Sequence, residues 1–161
     1  MTPALRLAAS TDAAVIAAIS HAARTAALPH IRWAHTPAEV ARWITDFLLP
    51  THEVWLAEID ATPVGFMALQ DDWVDQLYLD PAHWRRGIGS SLIGLAKSRA
   101  PGRLQLWCFQ ANLRARMFYE AHGFTPERFT DGADNEEREP DVLYAWQDAS
   151  AASGAPSPPR P

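Results

Sequence analysis

The sequence predicts a single mixed α/β domain, a central twisted sheet flanked by helices, and three observations carry that prediction. Two capped helical stretches come first. Three strand-like runs separated by short turns follow them. After Gly87 the apolar period passes from helix to strand to helix and back to strand. A length of 161 residues with 48% hydrophobic side chains suits one unit with its own core.

The elements follow in order. ALRLAA, residues 4 to 9, reads as a short strand. Thr11 or Asp12 is placed to cap a helix through AVIAAISHAARTAAL to about Leu28. Residues 29 to 35 form a loop, after which Thr36 caps a second helix. Pro37 lies in its first turn, Glu39 holds the capping-box position, and the helix ends near Pro50. EVWLAEID (53 to 60) and VGFMALQ (64 to 70) flank a turn at Asp60 to Pro63, and DWVDQLYL (72 to 79) completes a meander. A helix starts at Gly87 and runs to about Arg99, closed by Pro101 and Gly102. RLQLWCF (103 to 109) is a strand, Ala111 to His122 a helix, and the chain is extended again from Phe124. The charged stretch TDGADNEEREPD (130 to 141) reads as a long connection between the last two strands. SGAPSPPRP (153 to 161) has too little apolar surface to offset ordering, so the domain is taken as 1 to 147 and the tail, 148 to 161, as disordered.

Bulk chemistry narrows the function. With 14 basic against 19 acidic side chains, a net charge of -5, the surface does not suit nucleic acid or an anionic membrane and leans towards a cationic partner. No apolar run is long enough to span a bilayer and no signal peptide is evident, so a cytoplasmic location is expected. Cys108, the single cysteine, sits between Trp107 and Phe109 in a strand and reads as a small buried hydrophobe, not an acyl-carrying nucleophile. His30 and His35 have no third ligand at a recognisable spacing, so a zinc site is not expected.

The stretch HWRRGIGSSL, His83 to Leu92, carries the chemistry. Two glycines one residue apart, beside two arginines, open a helix whose first N–H groups have no intrahelical partner, an arrangement that binds anions. A dinucleotide fingerprint needs a third glycine where Leu92 stands, and a Walker loop needs a lysine where Ser90 stands. Both nucleotide motifs fail.

A third pattern fits. LYLDPAHWRRGIGSSLI (77 to 93), followed by NLRARMFYEAHGF (112 to 124), resembles the GNAT superfamily of acyl-CoA-dependent N-acetyltransferases. The family's loop, Gln/Arg-x-x-Gly-x-Gly/Ala, falls on Trp84 to Gly89, with Trp84 in place of the usual Gln or Arg. Asn112, Tyr119, Gly123 and Phe124 match its second motif, and the resemblance spans residues 4 to 147.

The resemblance implies a V-shaped splay between the fourth and fifth strands in which pantetheine lies along Leu77, Tyr78 and Leu79. The pyrophosphate would meet the backbone of Arg85, Arg86, Gly87, Ile88, Gly89 and Ser90, the two arginines adding charge, and Asn112 would cap its helix and reach pantetheine. It also implies acetyl-CoA as donor, a primary amine as acceptor, direct attack in a ternary complex and no metal. Tyr119 would protonate the leaving thiolate and the Leu79 N–H would polarise the carbonyl. The glutamate that some members carry four residues before Leu77 is here Trp73. Asp75, which strict alternation puts on the face of Leu77 and Leu79, becomes the candidate base, with an ordinary strand carboxylate as the other reading. A non-catalytic acyl-CoA sensor is the alternative function, and the pairing of two copies is left open. Acceptor choice is expected from residues 28 to 43, including Trp33, and from the acidic connection with Asp131, Asp134, Glu136, Glu137 and Glu139.

Overall fold

The computed structural model describes residues 2–100 and 102–149. Its strands are β1 (Ala4–Leu7), β2 (Glu53–Ile59), β3 (Thr62–Gln70), β4 (Trp73–Leu79), β5 (Arg103–Phe109), β6 (Thr125–Phe129) and β7 (Asp141–Gln147). They form one sheet in the order β1-β2-β3-β4-β5-β7-β6. The helices are α1 (Ala13–Ala27), α2 (Pro37–Trp43), α3 (Leu49–Thr51), α4 (Ile88–Arg99) and α5 (Leu113–Ala121). The mixed α/β architecture is the one expected. The tail assigned as disordered lies, from residue 150 onward, outside the described residues.

Helices cover both faces because each presents one apolar stripe. On α1 the buried residues Ile16, Ala17, Ile19, Ser20 and Ala23 recur at helical spacing, and the helix packs on Leu56, Phe66 and Ala68. Across the sheet, Ile88, Leu92, Ile93 and Ala96 of α4 pack with Met67, Leu104, Leu106 and Tyr144. The caps differ. Thr36 caps α2 as expected, accepting from the Glu39 N–H at 3.2 Å while Glu39 accepts from the Thr36 N–H at 2.7 Å. Asp12 precedes α1 but makes no side-chain cap bond. Its carboxylate instead accepts from the Arg6 guanidinium at 2.9 and 3.0 Å and from the Ala9 N–H at 2.7 Å. A π-helical turn, Ile44–Leu48, joins α2 to α3, just ahead of Pro50, which has no N–H to give to the preceding turn.

Two irregularities in β4 position the site. β4 and β5 run parallel but are paired only at Trp73↔Gln105, where the Gln105 N–H donates to the Asp72 carbonyl at 2.8 Å. Beyond that point β4 stays paired with β3 and β5 with β7, so the strands part and the expected splay between fourth and fifth strands opens. The second irregularity is a bulge. Ala68 pairs Gln76 and Leu69 pairs Val74, which leaves Asp75 without a partner. Val74, not Asp75, therefore shares the core face with Leu77 and Leu79. This corrects the face assigned by simple alternation, because one inserted residue inverts everything before it.

Candidate active site

The splay opens into a continuous cleft of about 1680 Å³. Leu77, Tyr78 and Leu79 line it, as do Arg85, Gly87, Ile88, Gly89, Ser90, Asn112, Tyr119 and Asp75; Arg86 does not. Leu77 and Leu79 turn their side chains into the core cluster under α4, and Tyr78 joins the cluster under α1. What β4 offers the cleft is thus chiefly backbone. The Asp80 N–H donates to Val64 of β3 at 2.8 Å, so alternation turns the Leu79 N–H the other way, into the gap. The Leu79 carbonyl on that side is taken by the Trp84 indole N–H at 3.0 Å. Trp84, where the family pattern has Gln or Arg, therefore clips the loop to the end of β4. The Arg114 guanidinium stacks on its ring at 4.0 Å and ties α5 to the same point.

The loop's two glycines have different reasons. Gly87 caps α4 in a left-handed conformation, φ 79°, a state only glycine adopts cheaply. Gly89 lies within the first turn, where an added Cβ would come within 3.1 and 3.2 Å of the Phe118 ring. It allows α4 and α5 to approach. Arg85 is also left-handed, φ 63°, and left-handed residues at 85 and 87 curl the loop into the kind of nest that gathers N–H groups around an anion. The α4 N-terminus adds its partial positive charge. The loop thus suits an anionic group.

α5 supplies the opposite wall. Asn112 caps it, accepting from the Ala115 N–H at 3.1 Å. Tyr119 is buried, with its ring against Phe118, Phe124 and Tyr144. Burial raises its phenol above the ordinary value, and Cys108 and Tyr78 add to the effect. The ring stays protonated. Burial likewise pushes the Cys108 thiol up to about 12, which keeps it a thiol and supports the reading of a packed hydrophobe.

At the wide end the structure joins the two segments expected to select the acceptor. Arg24 stacks on Trp33 at 3.8 Å and faces Glu137 at 3.7 Å. His30 faces Glu139 at 3.6 Å and His35 faces Glu136 at 3.1 Å. Sequence reasoning missed two functional candidates. The Trp84 clip was invisible because its partner carbonyl is fixed only by folding. His52, whose Nε2 lies 2.6 Å from Asp75 Oδ2, stands alone between a helix and a strand, with no motif to mark it.

This geometry matches a known family. The model of the acetyltransferase (GNAT) family matches residues 16–124, and the chain belongs to that family. The uncharacterized N-acetyltransferase YafP of Escherichia coli strain K12 is 36% identical over 77 residues, covering 47% of this chain and 48% of its own. The peptidyl-lysine N-acetyltransferase YjaB of Salmonella typhimurium strain LT2 is 39% identical over 88 residues, 54% and 59% respectively. The chain spans about half the length of these curated relatives. Among solved structures, the apo form of YjaB from Escherichia coli superposes with a TM-score of 0.76 at 27% identity, over 92% of this chain and 100% of that one. PaiA N-acetyltransferase of Thermoplasma acidophilum, solved with coenzyme A, superposes at 0.69 and 18% identity, over 91% and 99%. That second likeness is one of fold.

Proposed function

We propose that the protein transfers an acetyl group from acetyl-CoA to a primary amine by direct attack in a ternary complex. The observation that carries the reading is the single cleft in which the loop Arg85 to Ser90, the open edge of β4 and Tyr119 all meet. Pantetheine would lie along β4 as a pseudo-strand, with its pyrophosphate in the loop. The acceptor ammonium gives a proton to Asp75, and the freed nitrogen attacks the thioester carbonyl. Oxygen gains charge towards the Leu79 N–H. When the carbon–sulfur bond breaks, Tyr119 supplies a proton to the sulfur, and the second proton leaving the nitrogen returns through solvent to the phenolate as the amide forms. The donor is acetyl-CoA of the cytoplasm, and Asp134, which lines the cleft beside the paired Glu136 and Glu137, favours a cationic acceptor. Relatives named as peptidyl-lysine N-acetyltransferases point to a lysine side chain.

The test is thiol release from acetyl-CoA with a panel of lysine peptides, free lysine, polyamines and N-terminal peptides. Release is expected to be fastest with a lysine peptide. Tight acetyl-CoA binding by calorimetry without release on any amine would replace this reading with that of an acyl-CoA sensor.

A further inference from the structure

Asp75 stands 38% exposed at its side chain, whereas the His52 side chain bonded to it is 3% exposed. The buried partner of an exposed carboxylate is thus a titratable ring. Its Nε2 lies 2.6 Å from Asp75 Oδ2 and its Nδ1 lies 2.8 Å from Thr51 Oγ1. Thr51 Oγ1 is also 2.6 Å from the Phe47 carbonyl. The Phe47 ring meets the imidazole edge-on at 5.9 Å. From β3, the Gln70 amide donates to the Thr51 carbonyl at 3.4 Å, while Glu53, next in the chain, turns to Trp55 and Arg99.

Proton accounting gives this cluster two states. An ionised Asp75 has no proton to donate, so Nε2 carries one and donates it to the carboxylate in both. When His52 is neutral, Nδ1 is bare and the Thr51 hydroxyl donates to it. When His52 is charged, Nδ1 donates to Thr51, and the hydroxyl proton turns to the Phe47 carbonyl. The same heavy-atom positions serve both states. Only the hydroxyl rotates.

The two states differ in what Asp75 can do. A neutral imidazole aims the carboxylate and leaves its full negative charge for the acceptor ammonium. An imidazolium cancels that charge within hydrogen-bond distance, which weakens both the attraction for a cation and the carboxylate's pull on a proton. We propose that His52 is the positioning residue for Asp75, holding it at the cleft and switching it off as a proton acceptor when the ring itself becomes protonated. The inference rests on the reading of Asp75 as the group that takes the acceptor's proton. The proton passes from the ammonium nitrogen to Asp75 Oδ1, the N–H bonding pair becomes the lone pair that then attacks the thioester carbon, and no bond at His52 breaks. The bulge that unpairs Asp75 gives the carboxylate its direction.

The experiment measures kcat and KM for acetyl-CoA with a lysine peptide between about pH 5 and 8, the range in which histidine changes charge. Towards the acid end of that range the parent's kcat should fall by about tenfold per pH unit, the slope of one proton. His52→Gln keeps a neutral N–H donor for Asp75 and never charges. It should retain kcat within about threefold at the top of the range and lose the His52-linked step at the bottom. A purely structural tie predicts instead a uniform drop at every pH with the parent's profile shape, and that result would overturn the proposal. Should His52→Gln fail to fold, nuclear magnetic resonance of histidine-labelled parent protein decides: the His52 ring must titrate where kcat falls, and a mismatch sinks the idea. Asp75→Asn separates the underlying reading. Full activity in that variant removes Asp75 and this inference together, whereas an impaired Asp75→Asn beside a His52→Gln with the parent's profile removes the inference alone.

Discussion

Gly87 and Gly89 sit two residues apart and would fail in different ways. An added Cβ at Gly87 meets nothing within 4 Å, so its only obstacle is the left-handed φ of 79°. Gly87→Ala should cost about 1 kcal/mol in denaturant unfolding and weaken acetyl-CoA binding by calorimetry, because relaxing that φ uncurls the loop. At Gly89 a larger side chain pushes on Phe118, the neighbour of Tyr119, so its effect would mix binding with chemistry. Tyr119 gives the cleanest residue-level test. Tyr119→Phe keeps the ring that packs on Phe124 and Tyr144 and removes one oxygen. If that oxygen supplies the proton, kcat falls by roughly 10²- to 10⁴-fold while the acetyl-CoA Kd holds. If the ring only packs, single-turnover rates across amines of different basicity stay at the parent's level.

At the scale of elements, α5 is oriented from its first residue. The Asn112 side chain satisfies the Ala115 N–H, and Asn112 also lines the cleft, so on the proposed reading stability and cofactor binding are joined in one amide. Two substitutions separate them. Asn112→Ala should cost about 0.5–2 kcal/mol through loss of the cap. Asn112→Asp caps as well as asparagine, so thermal unfolding should be nearly unchanged; a weakened acetyl-CoA Kd in that variant shows that the amide N–H₂ group meets pantetheine. An unchanged Kd confines Asn112 to the helix end. β4 shows how much one residue alters an element. Its binary pattern was legible as a strand, yet the bulge at Asp75 was not, because it depends on how β3 pairs.

For the molecule as a whole, the edge strand and the first helix are fastened to the sheet by one charge cluster, in which Arg6 bridges Asp12 and Glu58. The Arg6 hydrogen bonds hold the Asp12 carboxyl below its ordinary value, against the opposing effect of burial. A carboxyl depressed on folding contributes stability above its unfolded pKa of about 3.9 and loses it as pH falls through the folded value. Urea unfolding should therefore show a parent protein that weakens in acid and an Asp12→Asn variant that is about 1–2 kcal/mol less stable near pH 7 but loses less on acidification. The figure is small because Arg6 is 42% exposed at its side chain, where solvent screens the pair. Equal acid losses in the two proteins would remove Asp12 from the stability of this corner.

By itself the sequence determined what depends on neighbours in the chain: the Thr36 and Asn112 caps, the turn at Asp60, the helix opening at Gly87, and the spacing of Gly87, Gly89, Asn112 and Tyr119. Each is a local contact or a φ preference, and local chemistry is written in local sequence. The splay was legible only through the family resemblance, since nothing within β4 or β5 states where their pairing stops. Tertiary structure alone decided the face of Asp75, the buried His52 behind it, the Trp84 clip and the meeting of residues 28–43 with the acidic connection. These contacts join residues far apart in the chain, or a side chain to a carbonyl whose direction is set by strand pairing. They exist only once both faces of the sheet are covered and its register is fixed.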